Sequence, residues 1–110
     1  MSSSPGPDVE PRSVPSGAFL LDVREPHEWA AGYVPGATHL PLDALQERLA
    51  EIPGDTVVHC ICRSGGRSSQ AAAFLAAHGR RAVNVAGGMQ AWAAAGKDMA
   101  TDSGLPPRVI

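Results

Sequence analysis

The sequence predicts an α/β fold in which helices cover both faces of a parallel β-sheet. Short apolar segments alternate with segments in which apolar residues recur at helical spacing, and glycine or proline separates most of them. The clearest strand, residues 56–61, is rich in β-branched and apolar residues and is bounded by turn-forming residues. The chain has 110 residues, of which 44% are hydrophobic and 18% charged, and this is typical of one globular domain.

The predicted domain is preceded by a lead-in and followed by a tail. Residues 1–16 contain four Pro and five Ser and are predicted to form an extended or mobile lead-in. The domain itself is expected to span residues 17–97, and residues 98–110 are expected to form a polar tail. Within the domain we expect strands at residues 18–23, 37–40, 56–61 and 82–85, and helices at residues 25–31, 42–52, 68–78 and 89–95.

Local residue chemistry supports each of these elements. The first strand is a short apolar run, as expected of a strand that is buried on both faces. Pro26 and the acidic residues around it suit the first turn of a helix, which Gly32 ends. In residues 42–52, Leu and Ile recur at helical spacing, and the alanine-rich residues 68–78 favour a helix that Gly79 ends.

Charge, apolar runs and cysteine content argue against several classes of protein. Nine basic and eleven acidic residues give a formal net charge of −2, whereas binding to nucleic acid calls for a basic surface. The chain opens without the pattern of a secretory signal, and no segment approaches the ~18 apolar residues of a membrane helix. Only one residue separates Cys60 from Cys62, so a disulfide between them would be strained, and we expect a reduced, cytoplasmic protein.

The loop after the clearest strand combines a thiol, Cys62, with two glycines, Gly65 and Gly66. In an open α/β sheet, ligands bind beyond the carboxyl ends of the strands, next to helix N-termini. The glycines permit conformations in which consecutive N–H groups point inward and bind an anion. With Arg63 and Arg67 beside it, Cys62 is expected to have a lowered pKa and to act as a thiolate nucleophile. The alternative is that Cys62 is a small buried hydrophobic residue at the end of a strand.

Four short motifs follow one another along the chain and carry a family resemblance. They are LDVRE at residues 21–25, GYVPGA at 32–37, CRSGGRS at 62–68 and GGMQAW at 87–92. In this order they resemble the rhodanese-like domain family of sulfurtransferases, and the resemblance covers about residues 19–96. Two features depart from the family's pattern: Tyr33 stands where the family usually has His, and the Pro-rich lead-in replaces its more usual N-terminal helix.

The resemblance implies a five-stranded parallel sheet flanked by helices and sulfur transfer through a persulfide on Cys62. The donor would be thiosulfate or a similar small molecule, and the acceptor would be cyanide, a small thiol or a protein cysteine. Neither a metal nor an organic cofactor is implied. Arg63 and Arg67 are candidates for binding an anionic donor, and Arg67 is the better candidate for orienting it.

The remaining residues of the predicted site have supporting roles. Ser64 is expected to donate a hydrogen bond to the persulfide, and Ser68 is expected to cap the helix. Arg24 is expected either to contact substrate or to pair with Glu28. The full set is Cys62 as the catalytic residue, with Arg63, Ser64, Gly65, Gly66, Arg67 and Ser68 in the anion-binding loop and Asp22, Arg24 and Glu28 in support.

Two other functions would use a similar cysteine loop. Dual-specificity phosphatases, and the arsenate reductases that resemble them, have five residues between Cys and Arg, whereas four residues separate Cys62 from Arg67. The shorter loop makes a smaller cradle, which suits a single sulfur atom better than a tetrahedral phosphate. A sulfur carrier or protein-interaction module with little small-molecule turnover is the main alternative, because fold and motif do not separate it from an enzyme.

Several other residues have a structural interpretation. Cys60 is expected to be a buried core thiol rather than a sulfur acceptor, because free cysteines are among the most buried residues. His59 lies close to both cysteines, but no second pair of ligands follows at useful spacing, so a zinc site is not expected. Trp29 and Trp92 are expected to be core residues.

Overall fold

The β-sheet has five strands, all parallel, in the computed structural model, which describes residues 7–110. The order of the strands across the sheet is 1-5-4-2-3 in chain numbering. The α/β class and the five-stranded parallel sheet are therefore confirmed. The strands are β1 (Asp8–Val9), β2 (Phe19–Asp22), β3 (Thr38–His39), β4 (Val58–Ile61) and β5 (Ala82–Val85).

Three α-helices cover the two faces of the sheet. Leu75 belongs to one apolar cluster and Trp92 to the other, and each lies on a different helix. Leu20 and Leu21, which are adjacent in β2, also belong to different clusters, because successive side chains of a strand point to opposite faces. The helices are α1 (Pro26–Ala31), α2 (Gly66–Ala77) and α3 (Gly88–Ala94). Leu75 lies on α2 and Trp92 on α3, so these two helices pack on opposite faces of the sheet.

β4 is the central strand of the sheet, and the connections that leave β2 and β4 run in opposite directions. After β2 the chain continues to β3 on one side, and after β4 it continues to β5 on the other side. Every residue of β4 is buried, as expected for a strand with neighbours on both edges and helices on both faces. Arg24 follows β2 and Cys62 follows β4, so both lie at the topological switch point where open α/β sheets bind ligands.

The described part of the predicted lead-in (residues 1–16) contains regular structure. Asp8 and Val9 form β1 and pair with β5, and residues 11–13 form a 3₁₀ turn. An edge strand is held by backbone hydrogen bonds along one side only and needs no apolar run, so its composition does not reveal it. From Asp8 the lead-in is extended, which is one of the two forms expected, and it joins the sheet as an edge strand. Residues 1–6 lie outside the described residues.

The prediction of a helix at residues 42–52 is wrong. The segment instead contains two 3₁₀ turns, Leu42–Ala44 and Leu49–Glu51. The apolar spacing still has its expected effect, because Leu45 and Ile52 are buried against the same cluster as β4. A short segment that is anchored by a few apolar side chains gains its stability from packing rather than from a continuous helical hydrogen-bond ladder.

The predicted tail lies against α1 and the segment that follows it. Tyr33 and Ala100 exchange two backbone hydrogen bonds, of 3.0 and 2.8 Å, as an isolated antiparallel bridge. Further along, the N–H of Arg108 donates to the carbonyl of Ala31 at 2.9 Å. The last residues of the chain are thereby brought close to the loop that contains Cys62, where the main-chain oxygen of Ile110 accepts a hydrogen bond of 2.9 Å from Arg63 Nε.

Candidate active site

The sulfur of Cys62 sits inside a cradle formed by the loop after β4 and the start of α2. The backbone N–H of Gly65 donates to Sγ at 3.1 Å, and the Ser68 hydroxyl lies 3.2 Å from the same atom. Gly65 has a φ of 112°, a backbone conformation that residues other than glycine rarely adopt. This conformation turns the loop back over the sulfur. Cys62 is 1% exposed, so this cradle encloses the thiol almost completely.

The hydrogen bonds of the cradle govern the ionisation of Cys62. Burial on its own raises the pKa of the thiol, because a charged sulfur is poorly solvated there. The Ser68 hydroxyl and the backbone N–H groups of Ser68, Gly65 and Ser64 stabilise the thiolate and outweigh that effect. The net result is a pKa below the usual 9.0, so the cradle favours the nucleophilic form of the sulfur.

Cys60, two residues earlier, has the opposite environment. It is fully buried in the apolar cluster under α2, and this burial raises its pKa to about 12, with a smaller contribution from the charge of Cys62. A thiol with that pKa stays protonated and is a poor nucleophile. The prediction that Cys60 is a core thiol is confirmed by its burial.

The N-terminus of α3 holds the Cys62 loop from behind. The N–H of Met89 donates to the Cys62 carbonyl at 2.7 Å, and the N–H of Gln90 donates to the Arg63 carbonyl at 3.0 Å. This close approach requires Gly88, because a Cβ there would lie 2.7 Å from the carbonyl carbon of Arg63. Gly88 belongs to the GGMQAW motif at residues 87–92, and this contact gives it a structural role.

Arg24 is a buried structural residue. Its guanidinium group donates to both carboxylate oxygens of Asp22, with the shortest bond at 2.8 Å, and neither side chain is exposed. It also donates to the carbonyls of Glu28 and Gly32, at 3.2 and 2.7 Å, and so ties both ends of α1 to β2. Of the two roles expected for Arg24, substrate contact is wrong, because the side chain is fully buried. Its role is structural, but its carboxylate partner is Asp22, and it meets Glu28 only through the main-chain carbonyl.

The Glu28 carboxylate pairs instead with Arg67 at the start of α2. Two hydrogen bonds of 2.7 and 2.8 Å join the groups, and about a third of the Arg67 side chain is exposed. These hydrogen bonds lower the pKa of Glu28 to about 2, against a smaller opposing effect of burial. Arg67 therefore lies beside the Cys62 loop as predicted, but the Glu28 carboxylate already accepts two hydrogen bonds from its guanidinium group.

Ser68, rather than Ser64, places its hydroxyl at the sulfur. Ser68 is the third residue of α2. It is fully buried, and its hydroxyl faces the sulfur. The N-cap position of the helix is occupied by Gly65, so the prediction that Ser68 caps the helix is wrong. Ser64 is exposed, and it is its backbone N–H that contributes to the cradle.

Asn84 is a further residue of the site that the sequence analysis did not identify. Its side-chain oxygen lies 2.5 Å from the Ser68 hydroxyl, and its side-chain N–H donates to Asp8 at 3.0 Å. The available signal was an amide in an otherwise apolar strand, since a buried polar side chain needs a hydrogen-bond partner. Asn84 is 4% exposed and extends the cradle towards the edge of the sheet.

Trp29 differs from its predicted core position, whereas Trp92 is buried as expected. Trp29 is half-buried, and it stacks between the rings of Tyr33 and His39 at centroid distances of 4.3 and 4.8 Å. Trp, Tyr and His rings each combine an apolar surface with a polar atom, so they suit a partly exposed position such as this one. The helix α1 that carries Trp29 is too short to be covered on all sides.

Neither a metal cluster nor a membrane-spanning helix is found in residues 7–110. Within this range no three His, Cys, Asp or Glu side chains lie close enough together to hold a metal ion. The helices of the same range are also too short and too polar to cross a membrane. The cytoplasmic location stays a prediction.

Together, the fold and the site define an α/β protein with a cysteine whose pKa is lowered, held in a loop of inward-pointing N–H groups at the carboxyl edge of a parallel sheet. The model of the rhodanese-like domain family matches residues 10–95, which is more than half of the chain. The chain therefore belongs to the rhodanese-like domain family.

Relatives with known names support the same family. The chain is 43% identical over 87 residues to a sulfurtransferase of Allochromatium vinosum, covering 78% of this chain and 81% of that protein. It is 36% identical over 74 residues to a putative sulfur carrier protein, YrkF, of Bacillus subtilis, covering 66% of this chain and 40% of that protein. Among solved structures, a rhodanese-related protein of Thermoplasma volcanium superposes with a TM-score of 0.82 at 28% identity, covering 87% of this chain and 99% of that one.

Proposed function

We propose that this protein is a sulfurtransferase that moves sulfane sulfur from thiosulfate or a similar donor to a thiophilic acceptor through a persulfide on Cys62. The family and the relatives named as sulfurtransferases support sulfur transfer in general. The observation that carries the specific proposal is the cradle around Cys62, in which hydrogen bonds outweigh burial and lower the pKa of an enclosed thiol. Such a site favours a reactive thiolate, which a merely structural cysteine does not need.

The proposed reaction has two displacement steps and needs no external oxidant or reductant. In the first, the Cys62 thiolate attacks the outer sulfur of thiosulfate, a new S–S bond forms, and the bond within thiosulfate breaks with its electron pair leaving on sulfite. In the second, cyanide, a small thiol or a protein cysteine attacks the terminal sulfur, and the electron pair of the S–S bond returns to Cys62. The inward N–H groups stabilise the sulfur anion at both stages, as preorganised dipoles do at other anionic intermediates.

The charged residues near the loop have distinct parts in this proposal. Arg67 contacts the anionic donor with the guanidinium surface that Glu28 leaves free, and Glu28 keeps the group in place. Arg63 is exposed and contributes positive charge at the edge of the loop. Asp22 and Arg24 act only through the scaffold, because both are fully buried.

The mass of the intact protein after incubation with thiosulfate tests the persulfide step. We expect the wild type to gain the mass of one sulfur atom, and we expect cyanide to reverse the gain. Cys62→Ser should show no gain, whereas Cys60→Ala, which removes the other and fully buried thiol, should behave like the wild type. A sulfur adduct on Cys62→Ser would contradict the assignment of the nucleophile.

A sulfur carrier is the second candidate, and two observations favour it. The chain is similar to a putative sulfur carrier protein, and the pairing of Arg67 with Glu28 reduces the positive charge available to a small dianion. In that case Cys62 would receive sulfur from a protein donor, and turnover of free thiosulfate would be negligible. A persulfide that forms with a protein persulfide donor but not with thiosulfate, on a thiol shown to be free, would favour the carrier.

A further inference from the structure

The hydroxyl of Ser68 has one proton and two competing acceptors. The Cys62 sulfur lies 3.2 Å from Ser68 Oγ, and Asn84 Oδ1 lies 2.5 Å from it on the other side. Because a hydroxyl donates only one hydrogen bond, only one of these acceptors can receive the proton at a time. Ser68, Cys62 and Asn84 are all buried, so bulk water does not readily supply a hydrogen bond to the acceptor that lacks the Ser68 proton.

The carboxylate of Asp8 determines which way the Asn84 amide faces. Asn84 Nδ2 donates to Asp8 Oδ1 at 3.0 Å, and an ionised carboxylate can only accept hydrogen bonds. The amide nitrogen must therefore face Asp8, and the amide oxygen must face Ser68. In this arrangement Asn84 Oδ1 competes with the Cys62 sulfur for the Ser68 proton. The Ser68 hydroxyl therefore stabilises the thiolate only when it turns away from Asn84, and otherwise its Oγ can accept from the S–H of Cys62.

Rotation of the amide reverses this pattern. Asn84 Nδ2 would then donate to Ser68 Oγ, and the Ser68 proton would be free to donate to the Cys62 sulfur. The amide oxygen would face Asp8, which is unfavourable while Asp8 is a carboxylate. The first arrangement suits a protonated thiol, whereas the second suits a thiolate or a persulfide anion.

The sheet register holds these groups in one row. Asp8 pairs with Asn84 across β1 and β5, and Asn84 pairs with Cys60 across β5 and β4, so all three side chains project from the same face. α2 covers that face and brings Ser68 between Asn84 and the sulfur. Asp8, which is exposed on the edge strand β1, is thus connected to the Cys62 sulfur by hydrogen bonds through Asn84 and Ser68.

We propose that Asp8 and Asn84 are positioning residues that direct the single proton of the Ser68 hydroxyl either towards or away from the Cys62 sulfur. This inference rests on the proposed role of Cys62 as the sulfur nucleophile. Asp8 touches neither the sulfur nor a substrate and acts through Asn84 and Ser68. Its carboxylate favours the arrangement that suits the thiol, and its neutralisation releases the arrangement that suits the thiolate.

Asp8→Asn tests this directly, and its side chain is exposed, so the substitution leaves the core intact. An amide at this position can donate to Asn84 Oδ1 and so accommodates the rotated amide of Asn84. We expect the fraction of Cys62 present as thiolate, at a pH below its titration midpoint, to rise by about fivefold, corresponding to one hydrogen bond. The ultraviolet absorbance of the thiolate, followed against pH with Cys62→Ser as the blank, measures that fraction without needing access to the buried sulfur.

The same substitution on a Ser68→Ala background separates the relay from a simple loss of charge. Arg67 and Cys60 also interact with the charge of Cys62, and both are unchanged in every variant. If Ser68 transmits the effect, Asp8→Asn leaves the titration of the Ser68→Ala protein unaltered. An equal rise on both backgrounds would show only the removal of a nearby negative charge and would overturn the proposal, as would no rise on either.

This titration is independent of sulfur transfer. The relay fails if Asp8→Asn has no effect that depends on Ser68, even when thiosulfate still loads Cys62. The proposed function fails if Cys62 accepts no sulfur from any donor, even when the titration responds as expected. The two outcomes are therefore distinguishable.

Discussion

Arg67 donates hydrogen bonds of 2.7 and 2.8 Å to the two carboxylate oxygens of Glu28 and thereby joins the first turn of α2 to α1. The carboxylate is largely buried, whereas about a third of the guanidinium side chain is exposed beside the Cys62 loop. A paired arginine of this kind has a fixed orientation and still presents donors to a second anion. The pair therefore links α1 to α2 and sets how much positive charge is exposed beside the Cys62 loop.

The Glu28 carboxylate should make the stability of the protein depend on pH in an acidic window. Its pKa in the folded protein is about 2, below the usual 4.5, so the unfolded state binds protons first as pH falls. Its stabilisation is complete above about pH 4.5 and is lost as pH falls towards 2. We expect about 3 kcal/mol of unfolding free energy to disappear over this window in the wild type. Chemical denaturation of Glu28→Gln over the same range is the control, and an equal decline in that variant would contradict the assignment.

Replacing Arg67 should weaken the binding of an anionic donor selectively. We expect Arg67→Ala to raise KM for thiosulfate by about tenfold, and to raise KM for an uncharged polysulfide much less. Because the variant also leaves the Glu28 carboxylate unpaired near the loop, the double variant Arg67→Ala/Glu28→Gln is the matched control. If KM for thiosulfate returns to the wild-type value in the double variant, repulsion by Glu28 explains the effect and Arg67 does not bind the donor.

Gly88 should be essential for the position of the Cys62 loop. A methyl group there would meet the backbone of Cys62 and Arg63, which are held by α3, and its φ of 57° adds strain. We expect Gly88→Ala to lower the free energy of unfolding by roughly 2–5 kcal/mol and to reduce sulfur transfer in the folded fraction. Gly96→Ala is the control, because it has a φ of 72° but open space around it. It should cost about 1–2 kcal/mol and leave sulfur transfer unchanged. Equal losses of activity in both variants would exclude a specific role for Gly88.

Removal of the Arg24 guanidinium should destabilise the protein as a whole. Arg24→Gln leaves the Asp22 carboxylate buried without a charged partner and frees two carbonyls of the α1 segment. A buried carboxylate that loses its partner typically costs about 3–5 kcal/mol, which thermal or denaturant unfolding would detect. Arg48→Gln breaks an ion pair with Glu51 that is exposed on both sides, and it should unfold like the wild type. If Arg24→Gln is also as stable as the wild type, the buried pair is not part of the scaffold that holds α1.

The central part of the fold and the position of the candidate nucleophile in a loop after a central strand could be predicted from the sequence because both depend on local chemistry. The strand at Val58–Ile61 lies in a run of β-branched and apolar residues that only His59 interrupts, and the loop after it contains a thiol and two glycines within five residues. β1 could not be predicted in this way, because Asp8 and Val9 become a strand only through pairing with β5. The segment at residues 42–52 shows the same limit: its apolar spacing predicts which side is buried but not whether the backbone forms a helix.

What the sequence by itself determined was the class of the fold and the placement of Cys62 in an anion-binding loop after a central strand. The tertiary structure decided which charged and polar groups meet there. Arg24 pairs with Asp22, Arg67 takes the carboxylate of Glu28, and Ser68 turns inward to the sulfur. The physical reason is that hydrophobic periodicity and turn chemistry act over a few residues, whereas the partner of a polar side chain depends on which elements the packed sheet brings together.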